Sequence, residues 1–541
     1  MVTRNDLLRS WLVLALLGSW PQTTHALDLG SGLQQRLQGV GAPLRMEVAA
    51  EPLYQTPALV AFYEGHAYQP VWTIGSYLRP GAVELLDVIA AAAEEGLEPR
   101  HYHAAALDVL RRRYLLTPVG ELANDLELLL SDAFFQLACD FHHGRSAPAH
   151  AHGREPSPEA PRELAQLLDR ALVGGQVRTT LQSLLPTHPD YAALRAAWQR
   201  YQKIAENGGW PRIPDQPVLR RGSTGRSVSL LRQRLASEGE LPAVALNGEC
   251  FDAQLEAAVR TFQRRYGLAV NGVVGAKTRA ALNVPASARA RQLALNLERR
   301  RWLSRNFSER ALLVNIPGFT LQLWDKKRVT LAMRVIVGRQ ARQTPNFSST
   351  ITAVVLNPQW DVPHSIAVAD LLPLAQADAS YLIRRGFHVY AAGHRNGDEL
   401  DPASIDWSSL GRENFPYHLV QEPGPHNALG RLKFIVPNDE RIYLHDTPSR
   451  SLFSATTPAF SSGCIRVAKP RELALRLLAG TSYASVAALT AALDEGGGRI
   501  VHLPEPRPIH IVYWTAWIED NGEVQFRPDL YQRDSGLSAV L

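Results

Sequence analysis

The sequence predicts a multidomain α+β protein, and three observations carry that expectation. At 541 residues the chain is too long for one hydrophobic core and suits about three or four units. Apolar residues recur at helical spacing over roughly the first three hundred positions, as in Leu85, Leu86, Ile89 and Ala93. From Ala311 the period drops to two, first in Leu312, Val314 and Ile316 and again over 329–337. The expected plan is an all-α part followed by a domain built on a mixed β-sheet.

Hydrophobic residues at 45% and charged residues at 20% describe an ordinary globular protein, and the formal charge of +5 is a modest excess. No nucleic-acid-binding pattern accompanies it, so a solvated basic surface is expected. Arg4 and Arg9 precede an apolar run over 11–20, with Thr24 and Ala26 placed for cleavage. Residues 1–26 therefore read as a secretory signal peptide, either removed or kept as an N-terminal anchor, and imply a periplasmic protein. The run is shorter than the ~20 apolar residues of a membrane span. Three cysteines is an odd number for an exported chain, so at least one is unpaired; Cys139 and Cys250 are either a disulfide or two free thiols.

Residues 27–212 read as a helical scaffold, with a second stripe at Leu122, Leu126, Leu129 and Ala133. His142, His143, His150 and His152 cluster there without a cysteine or acid at ligand spacing, so no metal is expected. Residues 213–285 hold three short helices. One is marked by Val228, Leu231 and Leu235, one by Leu255, Val259, Phe262 and Tyr266 behind an N-cap at Asp252, and one runs over 277–282. The stretch 286–309 reads as a connecting helix whose Arg299, Arg300 and Arg301 form a solvated face.

The last unit, 310–541, opens with alternating strands. A long excursion at about 361–416 suggests a lid over a binding site. Its aromatic residues Trp360, Tyr381, Phe387 and Tyr390 are expected mainly to fill the core of the excursion itself. Short helices follow over 470–479 and 485–493, then a final strand over 509–518 that completes the sheet, with 528–534 trailing over the surface.

The chemistry lies in 441–469. Ile442, Tyr443 and Leu444 alternate as a strand that delivers His445, while Ser461, Ser462 and Gly463 make a small-residue turn that presents Cys464. A thiol is a weak nucleophile until an imidazole removes or holds its proton, so His445 is the candidate base for Cys464. They are too far apart for one helical face; two strand ends joined by a loop would bring them together. Gly463 lets substrate backbone approach, and the amides around Gly463 and Cys464 are placed to meet an oxyanion. On a strand Arg466 shares the face of Cys464, where its charge favours thiolate, and Tyr443 shares the face of His445.

These residues resemble the signature of the L,D-transpeptidases, the YkuD-type catalytic domain: a histidine, a loop, then Ser/Thr-His-Gly-Cys and an Asn or Arg. The match is Ser461, Gly463, Cys464 and Arg466 with His445 upstream. Asp446 stands where glycine is usual, and Ser462 replaces the second histidine. Both departures, and the run from Pro423 through Asn427 to Gly430, are similar to the large YcbB-like branch. Residues 213–285 resemble a three-helix peptidoglycan-binding domain. The resemblance implies Cys464 as nucleophile and His445 as general base, with Gly463, Ser462, Arg466, Tyr443 and Asn427 around the oxyanion and substrate, and with no metal or other cofactor. It implies tetrapeptide stems of peptidoglycan as donor and acceptor, joined through their third residues with release of D-Ala, and acylation of the thiol by carbapenems. Two other readings fit fewer residues. A zinc-dependent peptidoglycan peptidase or amidase lacks its ligand set, and a non-catalytic wall-binding scaffold leaves Cys464 an ordinary thiol.

Overall fold

Helix Gly120–His143 is buried along nearly its whole length, because leucine, alanine and phenylalanine occupy every side of it. The computed structural model describes the chain apart from residues 1–28, 39–45, 147–158, 216–217, 243–247, 304–306 and 392–396. The signal-like segment, His150 and His152 thus lie outside the described residues. Helices Thr56–Gly65, Pro80–Ala91, Ala104–Leu116 and Ala160–Val173 surround the central one. Its buried carboxyls are satisfied: Glu127 accepts the amides of Val71, Trp72 and Thr73 at 2.8, 2.9 and 2.7 Å, Asp132 those of Tyr54 and Gln55, and Asp140 the Tyr102 hydroxyl.

The next three helices are Arg226–Ala236, Ala253–Arg265 and Ala276–Leu282, the second capped by Asp252, which accepts the Leu255 amide at 2.8 Å. The connecting helix, Ala286–Arg301, corrects an expectation. Arg299, Arg300 and Arg301 are not solvated but 4%, 2% and 1% exposed. The helix is a junction, and each guanidinium is taken up by a different neighbour. Arg300 grips Asp190 through Nε and Nη2 at 2.9 and 2.7 Å and lies over the Trp514 ring. Arg301 reaches the Tyr191 hydroxyl and the Glu95 carbonyl, and Arg299 reaches Asp534 at 2.6 Å.

The main sheet of the last unit has nine strands: β1 Arg310–Asn315, β2 Thr320–Asp325, β3 Arg328–Gly338, β4 Phe347–Leu356, β5 Leu432–Ile435, β6 Leu444–His445, β7 Ala459–Ser461, β8 Ile465–Val467 and β9 Arg499–Val512. Their order is β7-β3-β8-β6-β5-β4-β9-β1-β2, and β3 also pairs with β2, so the sheet wraps back on itself. Helices Pro470–Leu477 and Val486–Asp494 pack on it, with Ser485 as N-cap of the second. The sheet is mixed: β9 runs parallel to β1, β6 to β8 and β7 to β3, while the other neighbours are antiparallel.

The end of the chain differs from expectation. The sheet strand stops at Val512; Ala516–Ile518 leaves it and pairs with Val524–Phe526. That hairpin packs into the core of the three-helix unit through Ala516, Ile518, Val524 and Phe526, with Phe526 stacked on Tyr266. Nor does 528–534 trail: Asp529 accepts from the Tyr513 hydroxyl at 2.6 Å, and Tyr531 is buried with its hydroxyl on the Gly338 carbonyl. The described residues of the excursion form a subdomain with its own sheet and core. Strands Trp360–Asp361, Phe387–Tyr390, Glu399–Leu400 and His418–Gln421 form a sheet, closed over Val362, Leu371, Leu382, Trp407 and Phe415. Cys139 and Cys250 are free thiols, which decides the alternative left by the sequence. No described helix is long and apolar enough to cross a membrane.

Candidate active site

β6 and β8 lie side by side and parallel, with Leu444 opposite Ile465 and His445 opposite Arg466. On the other flank of β6, β5 sets Lys433 opposite His445. Paired residues share a face, and alternate residues return to it. Leu444, Ile465, Val467 and Phe434 therefore enter the core, while Tyr443, His445, Cys464, Arg466 and Lys433 emerge together. They floor a cleft of about 890 Å³ whose far wall, with Trp360 and Tyr381, is the inserted subdomain. Trp360, Tyr381 and Phe387 serve both the subdomain core and this wall.

The electrostatics set the resting state. Burial pushes the Cys464 thiol up, although the backbone and hydroxyl of Tyr443 and the charges of Lys433 and Arg466 pull against it. Arg466 thus acts in the expected direction and is outweighed. Burial, then Arg466, then Lys433 pull the His445 imidazole down to about 3, against the carbonyls of Asp446 and Leu429. Nδ1 lies 2.6 Å from the Asp446 carbonyl. A carbonyl only accepts, so Nδ1 holds the proton of the neutral ring and Nε2 keeps its lone pair. A neutral thiol and a neutral imidazole on one face of the sheet are the states these surroundings favour. The Tyr443 ring stands edge-on to His445 and carries the Lys433 ammonium 4.1 Å from its centroid.

The turn before Cys464 is tightly bonded. Gly463 has φ +117°, a conformation that favours glycine, and an added Cβ would crowd Ile442 at 3.2 Å. Its amide donates to Ser461 Oγ at 3.2 Å, and its carbonyl accepts from Thr344 at 2.6 Å. One of the two amides expected to face an oxyanion is therefore spent within the turn. Ser462 Oγ accepts from Arg342 at 2.8 Å.

Asn427 stands apart from the cleft. It is buried, donating to the carbonyls of Gln421 and Glu422 at 3.2 and 2.8 Å and accepting the Leu429 amide at 2.8 Å, so it shapes the loop ahead of β5. Asp446 has a local reason. Its carboxylate accepts the amides of Arg431 and Thr447 at 3.0 and 2.7 Å and pairs with Arg450, and a Cβ on Gly430 would strike it at 2.5 Å. Sequence reasoning missed Lys433, Arg342 and Thr344; only a lone lysine between Leu432 and Phe434 hinted at the first. Among the described residues, no group of three His, Cys, Asp or Glu stands together to hold a metal.

Family models match three regions: a scaffold domain over residues 57–197, a "Putative peptidoglycan binding domain" over 224–282 and the L,D-transpeptidase catalytic domain, YkuD, over 309–486. A Haemophilus influenzae protein named "Putative L,D-transpeptidase" is 38% identical over 247 residues, covering 46% of this chain and 49% of that protein. The chain thus spans about half the length of that relative. Among solved structures, an L,D-transpeptidase from Xylanimonas cellulosilytica is 18% identical, covering 56% of this chain and 98% of that one, with a TM-score of 0.17. A fused Zn-dependent amidase/peptidase/peptidoglycan-binding domain-containing protein from Clostridium acetobutylicum is 13% identical, covering 54% and 98%, with a TM-score of 0.14. Residues 309–486 are a YkuD-type L,D-transpeptidase catalytic domain, and the chain carries it behind a scaffold domain and a peptidoglycan-binding domain.

Proposed function

We propose that this chain is a periplasmic cysteine L,D-transpeptidase that cross-links the peptide stems of peptidoglycan. The observation that carries the reading is the common face of Cys464, His445, Tyr443, Arg466 and Lys433 at the floor of one cleft. As the Cys464 sulfur attacks the carbonyl of the third stem residue, His445 Nε2 takes the thiol proton. The two flanking cations and the Tyr443 hydroxyl stabilise the negative charge that passes from sulfur to the carbonyl oxygen. Collapse breaks the bond to the terminal D-Ala, whose amine leaves with the proton from His445. The side-chain amine of a second stem's third residue then attacks the thioester, gives its proton to His445, and the freed sulfur is reprotonated.

The three-helix domain would hold the enzyme on its polymeric substrate, and carbapenems would acylate the same sulfur. The test is incubation with purified disaccharide tetrapeptides and mass analysis of the products. A dimer lacking one D-Ala supports the reading. Release of D-Ala without a dimer would make water the acceptor, and activity lost to a chelator and restored by zinc would transfer the case to a metallopeptidase.

A further inference from the structure

The loop joining β3 to β4, residues 339–346, holds the nucleophile turn one residue at a time. The Arg339 amide donates to the Ser461 carbonyl at 3.0 Å, the Arg342 guanidinium to Ser462 Oγ at 2.8 Å and the Thr344 hydroxyl to the Gly463 carbonyl at 2.6 Å. The same loop reaches across the cleft to the inserted subdomain. Arg342 Nη1 meets Asp370 Oδ2 at 2.6 Å, its Nη2 donates to the Ser365 carbonyl at 3.3 Å, and Arg339 meets Asp370 Oδ1 at 3.0 Å. One nitrogen of Arg342 thus carries a bond to each side, the turn that presents Cys464 and the wall that covers it.

A guanidinium suits this double duty because its donors form a rigid fork, whereas an ammonium is a single point of charge. Burial opposes ionisation of Asp370, but the bonds from Arg339 and Arg342 outweigh it and hold the carboxyl below the usual carboxylate range. The carboxylate is 32% exposed, and ion pairs of that exposure contribute little to folding stability. The cluster therefore has more consequence for position than for stability.

We propose that Arg342 is the positioning residue of the nucleophile turn and that Asp370 of the insertion holds it in place, so that seating the insertion over the cleft sets the aim of Cys464. The proposal rests on the transpeptidase reading. Lifting the insertion to admit a stem peptide withdraws Asp370, and the turn loosens. Reseating over bound substrate tightens it again.

Hydrogen exchange read by mass spectrometry on the full chain tests this without any substrate. Asp370→Asn is expected to speed exchange in 364–377 and also in 459–466. Arg342→Gln should do the same in 459–466, and the double variant no more than either alone. In turnover of stem peptides, each single variant should lose about ten-fold in kcat with KM changed less than about two-fold, and Arg342→Lys should recover only part. Unchanged exchange in 459–466 for Asp370→Asn, or losses in kcat that multiply in the double variant, would overturn the coupling. Should Arg342→Gln fail to fold, Asp370→Asn decides alone, because its substitution lies on the insertion. A wild-type protein without turnover defeats the transpeptidase reading, while the exchange result still decides the clamp.

Discussion

His445 stands in register with Arg466 on one neighbouring strand and with Lys433 on the other. A buried imidazole between two cations resists protonation, and burial favours the neutral form of Cys464, so at rest the surroundings favour a thiol over a preformed thiolate. Alkylation of Cys464 by iodoacetamide, followed by peptide mapping in a Cys250→Ser background, should therefore keep accelerating beyond about pH 9. Lys433→Met should slow it about ten-fold at pH 8, by removing one cation that favours the thiolate. Cys139, whose thiol burial pushes up to about 12, should stay unlabelled. A rate that levels off below pH 7 would mean a resting ion pair.

The same imidazole makes the catalytic domain acid-sensitive. Its folded value of about 3 lies below the unfolded value of about 6.5, so within that window the unfolded chain binds a proton that the native state does not. Stability should fall as pH falls from about 6.5, by up to ~1.4 kcal/mol per pH unit from this group. Urea unfolding at pH 7 and pH 5 checks it: His445→Gln, which cannot titrate, should lose about 2 kcal/mol less between the two.

Tyr443 touches the site through its hydroxyl, which bears on the thiol, and through its ring, which carries Lys433. Tyr443→Phe keeps the ring and removes the hydroxyl. It should lower kcat by about ten- to hundred-fold while leaving thermal unfolding within a degree or so, as expected for a donor that acts on developing charge. An unchanged kcat would remove the hydroxyl from the mechanism.

Asp190 lies beneath a guanidinium that is 2% exposed, and although burial opposes its ionisation, Arg300 and His188 hold its carboxyl down at about 2. Asp190→Asn leaves Arg300 buried without its counter-charge and should destabilise the junction by about 3–5 kcal/mol in thermal or urea unfolding. Replacing both, as Asp190→Leu with Arg300→Met, should cost less than the single change.

Strand alternation placed Tyr443 with His445 and Cys464 with Arg466, since two-residue periodicity is a local property of the chain, and the parallel pairing of β6 with β8 joins the two pairs. What escaped the sequence depends on which distant segments meet. Lys433 gains meaning only because β5 lies against β6. Arg300 and Arg301 looked solvated because charge runs usually are, and the groups that meet them from a distant segment, Asp190 and Tyr191, carry no signal of proximity in the sequence. The hairpin of Ala516–Ile518 with Val524–Phe526 reads locally like any sheet strand; that Ala516, Ile518, Val524 and Phe526 pack against the three-helix unit is a contact between distant segments. Asn427 shows the converse, a residue of the recognised motif whose side chain is spent on backbone.

The central claim is that one sulfur carries the peptide between donor and acceptor. Wild-type protein mixed with a disaccharide tetrapeptide, quenched in acid within seconds and digested for peptide mapping, should yield the fragment containing Cys464 with the stem attached less its terminal D-Ala, and Cys464→Ala should yield neither adduct nor dimer. An adduct on another residue, or dimer formation that survives Cys464→Ala, would contradict the account.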